Sequence, residues 1–228
     1  MKSLSVVVPV HNEAAFLPSA IGPLIDAVRS VTDDFEILVM ENGSTDGTAA
    51  LATELGGEDV TVIQLPIPDY GEAMKTGFET AAGDWVVNVD IDYFSADFFR
   101  AVLASDADVV IGSKRDPLSD DRRPALRRLA TAVFNLLLRT LFGSRVSDTH
   151  GMKGFRRHVL TEFVPLTVSR TDLFDTELVL RAERAGRLIE EVPVVVEELR
   201  AARSSLMRRV PRTLRGLWRI RRILSTHR

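Results

Sequence analysis

The first half of the chain alternates short apolar runs with segments of helical spacing. The apolar runs cover residues 4–8, 35–40, 60–65, 85–89 and 108–111. The segments between them predict helices over residues 17–30, 47–55, 70–82 and 95–104. Pro18 suits a first helical turn, and Asp46 or Ser95 suits a cap. Strands that alternate with helices form a mostly parallel sheet covered on both faces, so the sequence predicts an α/β fold.

Two further segments with helical spacing follow this alternation. Residues 125–142 carry a wide apolar face, and residues 207–224 alternate Arg with Leu, Val, Ile and Trp218. With 228 residues, 45% of them hydrophobic, the chain is long enough for one substantial core. We therefore expect one domain over residues 1–205 and a basic amphipathic C-terminal helix over residues 206–228.

Polar residues follow several of the predicted strands. In open α/β sheets, ligands bind beyond the carboxyl ends of the strands, where the loops converge. The polar segments at these positions are residues 9–13, 41–47, 90–92 and 112–115. We therefore expect them to line one site.

Asp90 and Asp92 come directly after the apolar run 85–89. Two neighbouring carboxylates repel each other unless a cation lies beside them, and hard oxygen ligands suit Mg²⁺ or Mn²⁺ that bridges a diphosphate. The chain has no cysteine, which excludes disulfides and thiolate zinc sites. An isolated Asp-x-Asp is more often a solvated turn, so the position at the end of the fourth strand is what favours a metal site.

A second candidate site begins at Glu41. Gly43 and Gly47 permit a tight backbone path, but the glycines alone are typical of any strand-to-helix turn. A carboxylate that ends a buried strand needs a partner, and a nucleobase amino or imino group would supply one. Neither the phosphate loop of ATPases nor the Gly-x-Gly-x-x-Gly fingerprint of dehydrogenases occurs in the chain.

Four cations follow or flank these segments, where they could neutralise a leaving diphosphate: Lys75, Lys114, Arg115 and Lys153. Each of them alone is more often a solvated surface charge. Lys114 is the strongest candidate because the run 109–113 carries it directly off a strand. The four His residues show no metal-ligand spacing.

Charge is distributed unevenly along the chain. Residues 200–228 contain ten Arg and no Lys, Asp or Glu, which leaves 19 of the 29 basic residues and all 32 acidic residues elsewhere. A basic tail on an acidic body favours an anionic membrane surface over nucleic acid, and a homo-oligomer contact is the competing use. The helix over residues 125–142 either packs on the body or faces a membrane.

The sequence also predicts where the protein resides. The apolar start at residues 6–8 is too short for the core of a signal peptide. No stretch approaches the roughly 20 apolar residues of a spanning helix. We therefore expect a cytoplasmic protein, peripheral on the inner face of the membrane.

Taken together, the motifs resemble the family 2 glycosyltransferases, and within them the dolichol-phosphate mannosyltransferase and polyprenyl-phosphate glycosyltransferase branch. The resemblance covers about residues 3–205 and rests on order and spacing, since each motif alone is weak. The matching segments are residues 8–13, 41–48, 71–77, 82–85, 90–92, 112–114, 148–153, 174–178 and 191–194.

The resemblance implies a single GT-A-like, Rossmann-like domain that uses a nucleotide-diphosphate sugar and Mg²⁺ or Mn²⁺. The candidate donor-binding residues are Pro9, Val10, Asn12, Glu13, Glu41, Gly43, Lys75, Asp90, Asp92, Lys114, Arg200 and Ser205. Asp90 and Asp92 would hold the metal, and Lys114 takes the place of a family Arg. Asp148 matches an acid on the acceptor side, and Arg200 with Ser205 matches a segment that closes over the diphosphate.

The chain departs from the family pattern at three places. Glu41 and Asn42 replace the usual pair of Asp residues, which leaves the base and the sugar open. The loop after Asp148 is one residue shorter than the common form, and Arg203 replaces the Gly of the closing segment.

The resemblance further implies an inverting displacement at the anomeric carbon. A polyprenyl-phosphate acceptor is already anionic and needs no general base. A soluble hydroxyl acceptor would need one, and Asp148 or Asp175 is then the candidate. A sugar-nucleotide synthesising enzyme would be expected to carry a glycine-rich N-terminal loop, which residues 9–13 are not. A non-catalytic sugar-nucleotide-binding subunit is a further alternative.

Overall fold

Each apolar run expected to be a strand forms one. The computed structural model describes residues 3–196 and 206–226, with the side chains of 3–196 and 210–225. The strands are β1 Leu4–Val10, β2 Phe35–Asn42, β3 Val60–Leu65, β4 Trp85–Asn88, β5 Val109–Ser113, β6 Asp120–Asp121, β7 Lys153–Arg156, β8 Ile189–Pro193 and β9 Val195–Val196. The sequence predictions for the first five runs are confirmed.

The predicted helices also form, with bounds shifted by a residue or two. They are α1 Leu17–Arg29, α2 Thr48–Gly56, α3 Tyr70–Thr80, α4 Ala96–Ala104, α5 Ala125–Phe142, α6 Arg157–Phe163, α7 Phe174–Arg184 and α8 Leu206–Thr226, with a 3₁₀ turn at Val164–Leu166. Ser95 caps α4 as expected, and Pro18 lies in the first turn of α1. Asp46 does not occupy the cap position of α2, which Gly47 takes, but its carboxylate accepts the N–H of Thr48 at 3.1 Å.

Seven of the strands form one sheet in the order β3-β2-β1-β4-β7-β5-β8. Every pair in it is parallel except those of β7, which runs antiparallel to both β4 and β5. The sequence does not predict β7, because Lys153 and Arg156 give it no apolar pattern. The register of β7 places Lys153 opposite Asn88 near the carboxyl end of β4.

Helices cover both faces of this sheet, as the alternation predicts. Side chains from α1, α2 and α4 pack on one face, and side chains from α3, α6 and α7 pack on the other. A third, smaller cluster joins α5, α7 and α8 through Leu138, Leu180, Leu217 and Ile220. The fold is therefore a single α/β domain with a mostly parallel sheet, and α8 packs on its side.

α5 buries only part of its apolar face. Leu138 is fully buried, whereas Leu126, Leu129, Val133 and Leu136 are each at least half exposed. In the part of the chain that the structure describes, no helix is both long enough and apolar enough to span a bilayer.

Candidate active site

The loops that follow β1 and β2 are held together by side chain to backbone hydrogen bonds. The N–H of Asn12 donates to the hydroxyl of Ser44 at 2.9 Å, and Oδ1 of Asn12 accepts the N–H of Thr45 at 2.9 Å. The N–H of Glu13 donates to Thr48 at 2.8 Å. Asn12 has a φ of +53°, a left-handed conformation that Asn tolerates better than most residues. The two predicted motifs thus form one wall at the carboxyl edge of the sheet.

Glu41 is buried at this wall, at the end of β2. Its Oε1 accepts the N–H of Ser44 at 2.6 Å. Asn42 beside it accepts the N–H of Asp69 at 2.7 Å through its side chain, and its carbonyl lies 2.7 Å from Nδ1 of His11. The structure therefore supplies one internal partner for Glu41, and its second carboxylate oxygen has capacity for a further donor.

Gly43 lets the loop after β2 approach the loop after β3. Its φ is +64°, and a Cβ at this position would lie 2.7 Å from the backbone of Ile67 and of Pro68. A side chain would clash with backbone that cannot move cheaply. Gly43 is therefore required by the shape of the site.

Asp90 and Asp92 lie beyond the end of β4, in a tight turn where the N–H of Tyr93 donates to the carbonyl of Asp90 at 2.9 Å. Asp90 keeps accessible surface, yet protein atoms surround it closely. This desolvation, followed by the negative charge of Asp92, raises the pKa of Asp90 to about 6 against the opposing charge of Lys153. The two carboxylates thus repel each other, as expected from their spacing.

The carboxylates of Asp90 and Asp92 fit a Mg²⁺ or Mn²⁺ ion whose coordination is completed by other oxygen ligands. Among the described residues, no three His, Asp or Glu side chains converge on one point, so this part of the protein supplies a pair of carboxylates and no closed cage. Mg²⁺ characteristically binds through one or two carboxylates together with substrate phosphates and water. Mutual repulsion of Asp90 and Asp92 would be relieved by a cation.

Lys114 and Asp148 form a buried ion pair beside these carboxylates. The ammonium lies 2.9 Å from Oδ2 of Asp148 and also donates to the carbonyl of His150. Oδ1 of Asp148 accepts the N–H of His150 at 2.9 Å. Burial raises the pKa of Asp148. The charge of Lys114 and the hydrogen bonds that the carboxylate accepts outweigh burial and hold this pKa below its usual value. The charge of Lys114, expected to face a diphosphate, is thus already balanced inside the protein.

A second buried pair joins Lys153 to Asp175. The Lys153 ammonium lies 3.3 Å from Oδ2 of Asp175 and donates to the carbonyl of Gly151 at 2.7 Å. Tyr70 and Asn88 donate to the same carboxylate oxygen at 3.0 and 3.4 Å. Within the described chain, Oδ1 of Asp175 and Oδ1 of Asn88 are buried without a hydrogen-bond partner. Asp175 was expected near the site, and β7 and α7 bring it there.

Other expected residues lie elsewhere or outside the description. Lys75 is on α3, where its ammonium lies 3.9 Å from Glu79, and Arg115 is exposed. Pro9 and Val10 end β1 and pair with β2, next to Glu41. Arg200 and Ser205 lie outside the described residues.

Three residues of this cluster were not among the predicted site residues: Tyr70, Asn88 and His150. Asn88 carried a signal, since it is a polar residue inside the apolar run of β4. His150 carried one as well, since it lies in the matching segment 148–153 and its N–H donates to Asp148, two residues before it. Tyr70 enters the cluster only through its contact with Asp175, 105 residues away, which no local pattern predicts.

A mostly parallel sheet with a carboxylate pair beyond its central strand is the architecture expected of a GT-A glycosyltransferase. The chain matches the profile of the family described as "Glycosyl transferase family 2" over residues 5–163. It belongs to that family, which confirms the resemblance seen in the motifs.

Curated relatives carry related names. The chain is 31% identical over 202 residues to the undecaprenyl-phosphate 4-deoxy-4-formamido-L-arabinose transferase of Pectobacterium atrosepticum, with 81% of this chain and 61% of that protein covered. It is 29% identical over 202 residues to the glycosyltransferase AglD of Haloferax volcanii, covering 84% of this chain and 32% of that one. The chain thus spans less than two thirds of either relative.

Two further proteins match over most of their own length. An uncharacterised glycosyltransferase of Mycobacterium bovis is 31% identical over 196 residues, with 84% of each chain covered. The crystal structure of glucosyl-3-phosphoglycerate synthase from Mycobacterium tuberculosis with Mn²⁺, UDP and phosphoglyceric acid has a TM-score of 0.71 at 24% identity, covering 96% of this chain and 77% of that one. This structural likeness shows the fold.

Proposed function

We propose that the protein transfers a sugar from a nucleotide-diphosphate donor to the phosphate of a polyprenyl phosphate, with inversion. The observation that carries this proposal is the state of Asp148. Its carboxylate is fully buried, paired with Lys114 and bound by backbone N–H groups, so it is poorly suited to take a proton from a hydroxyl acceptor. Asp175, the other candidate base, is paired with Lys153 and accepts from Tyr70. A phosphate acceptor requires no such base. The name of the Pectobacterium transferase supports the same acceptor class.

In the proposed reaction, an oxygen of the acceptor phosphate forms a bond to the anomeric carbon from the side opposite the leaving group. The bond between that carbon and the diphosphate oxygen breaks, and its electron pair leaves with the nucleoside diphosphate. No proton needs to move. The site residues therefore have to orient two anionic groups and limit their repulsion.

Asp92, with Asp90 beside it, would hold the divalent metal. When bound, such a metal supplies Lewis-acid stabilisation of the negative charge on the departing diphosphate. Glu41 and the wall formed by Asn12 and Glu13 would hold the nucleoside. The mycobacterial neighbour was crystallised with Mn²⁺ and UDP, but the proposal for this chain rests on its own carboxylates.

We further propose that α8 rests on the anionic inner face of a membrane, where a polyprenyl phosphate is available. Val210, Leu214 and Trp218 of α8 are exposed at four-residue spacing. Five exposed Arg side chains accompany them: Arg212, Arg215, Arg219, Arg221 and Arg222. Exposed apolar residues among cations are typical of an interfacial helix. The exposed apolar residues of α5 add a second apolar surface, since α5 packs in the same buried cluster as α8.

The first test is a thermal-shift screen of UDP, GDP, CDP and dTDP with and without Mn²⁺, because a ligand stabilises the folded state according to its occupancy. Sugar derivatives of the nucleotide that stabilises the protein are then tested as donors for transfer to a short polyprenyl phosphate. Transfer that depends on Mn²⁺ is the expected result. Transfer only to a soluble hydroxyl acceptor would contradict the acceptor assignment. Nucleotide binding with neither sugar transfer nor donor hydrolysis would indicate a non-catalytic subunit.

A further inference from the structure

His150 occupies a position that the proposed reaction does not yet use. It lies on the loop between α5 and β7, and both members of the Lys114–Asp148 pair hold its backbone. Its N–H donates to Asp148 and its carbonyl accepts from Lys114. The imidazole is therefore attached to the rigid part of the site and projects beyond the buried ion pair, where the residue is exposed.

The ring of His150 also contacts α5. Its centroid lies 4.6 Å from that of Phe134 in an edge-to-face arrangement with an interplanar angle of 78°. Phe134 itself packs against the buried cluster that joins α5, α7 and α8. The imidazole thus lies between the charged cluster and the packed face of α5.

Within the described residues, the ring nitrogens of His150 make no hydrogen bond. The residue keeps accessible surface, yet protein atoms surround its ring closely. This desolvation and the charges of Lys153 and Lys114, opposed by Asp148 and Asp175, lower the pKa of His150 to about 4. The ring is therefore neutral at physiological pH and presents one N–H donor and one acceptor.

Gly151 leaves room for Lys114 next to His150. Its φ is +106°, and a Cβ there would lie 2.7 Å from the ammonium of Lys114 and 3.4 Å from the ring of Tyr93. The absence of a side chain at this position lets Lys114 reach the carbonyl of His150.

We propose that the imidazole of His150 binds the acceptor phosphate through its N–H and selects phosphate monoesters over neutral hydroxyl acceptors. The proposal rests on the proposed function in that the acceptor is a phosphate. A neutral N–H donor beside two lysines, each paired with a carboxylate, suits the anionic oxygen of a lipid phosphate. The same chemistry would also accept a soluble phosphate monoester.

Side-chain ¹⁵N NMR of the full chain tests binding independently of turnover. The probes are inorganic phosphate and a short polyprenyl phosphate in micelles, each with Mg²⁺, and the blank is detergent alone. His150→Gln and His158→Gln assign the signals, since His158 lies on α6 and pairs with Asp108. A shift of the His150 signals with either phosphate supports the proposal and identifies the source. No shift with either one, or the same shift with detergent, overturns it.

Kinetics separates recognition from structure. His150→Phe keeps a ring against Phe134 but removes the donor, so we expect the KM for the phosphate acceptor to rise roughly tenfold or more, with kcat little changed. His150→Gln, which keeps a donor, should recover most of the loss, and His158→Gln should behave as wild type. An unchanged KM in His150→Phe, or an equal loss of donor binding, overturns the proposal. If the wild type transfers no sugar, the proposed function fails while the NMR result still decides the role of His150.

Discussion

The ammonium of Lys114 lies 2.9 Å from Oδ2 of Asp148, and both side chains are almost wholly buried. The pair joins the end of β5 to the loop before β7. It neutralises two charges close to the carboxylates that would hold a metal. This part of the candidate site is therefore built on an internal ion pair.

Breaking this pair should destabilise the protein strongly. Asp148→Asn or Lys114→Met alone leaves an unpaired buried charge, for which the typical cost is about 3–5 kcal/mol. The double variant should cost clearly less than the sum of the single variants. Urea unfolding of the wild type, the two single variants and the double variant measures the free energies of unfolding that this comparison needs. Arg29 and Asp59 form an exposed pair whose removal should cost under about 1 kcal/mol, and a similar small loss at Lys114 would contradict the buried geometry.

Asp92→Asn should abolish metal-dependent nucleotide binding and turnover. The substitution keeps the shape of the side chain and removes the charge that a hard cation requires. Calorimetry with the nucleotide found by the screen, with and without Mn²⁺, measures the effect. Full wild-type activity in EDTA would show that the carboxylate pair has another role.

Metal affinity should depend on pH through Asp90. Because the pKa of Asp90 is raised to about 6, the carboxyl is protonated below that pH, and a metal must displace the proton. We expect the apparent affinity for Mg²⁺ to fall by up to about tenfold per pH unit below pH 6 and to be nearly constant above it. Asp90→Asn should flatten this dependence, whereas Asp106→Asn, in the loop that precedes β5, should not. An unchanged slope in Asp90→Asn would assign the proton to another group.

Glu41→Gln should weaken nucleotide binding or change the preferred base. Gln still accepts the N–H of Ser44, so the loop should keep its shape, while the charge-assisted bond to a base donor, roughly twice as strong as a neutral one, is lost. Calorimetry against all four nucleoside diphosphates measures the change. Equal affinities for wild type and variant throughout would remove Glu41 from the base site.

The sequence predicted the parts of this fold that depend on local patterns. The run 85–89 and the carboxylates after it were predictable because burial on both faces of a parallel strand requires continuous apolar residues. β7 was not predictable, since Lys153 is buried through its pairing with Asp175 from α7, 22 residues away. The pairing of Lys114 with Asp148 depends in the same way on a contact across 34 residues. Sequence therefore indicated several of the charges that gather at this edge of the sheet, together with Lys75 and Arg115, which do not join them. It did not indicate which of the charges neutralise each other.

The last prediction concerns α8. Its Leu217, Ile220 and Leu224 are buried against α5 and α7, and a Cβ at Gly216 would lie 2.4 Å from Leu173. The apolar residues on its other face remain exposed among Arg side chains. We therefore expect the intact protein to cosediment with anionic liposomes more than with neutral ones. Binding should weaken but persist as salt rises, because charge attraction is screened over about 8 Å at physiological salt while apolar residues still insert.

Three altered proteins separate membrane binding by α8 from its packing role. Trp218→Ser with Leu214→Ser removes exposed apolar area and should reduce liposome binding without lowering the melting temperature. Gly216→Leu should displace α8 from Leu173 and lower the melting temperature, because even a Cβ at this position would overlap Cδ1 of the buried Leu173 side chain and a larger side chain would overlap it further. A chain that ends at Met207 should lose both liposome binding and transfer to lipid acceptor in vesicles, while it still binds donor. Equal binding to neutral and anionic liposomes, or equal binding by the truncated chain, would mean that α8 serves oligomerisation or the core instead.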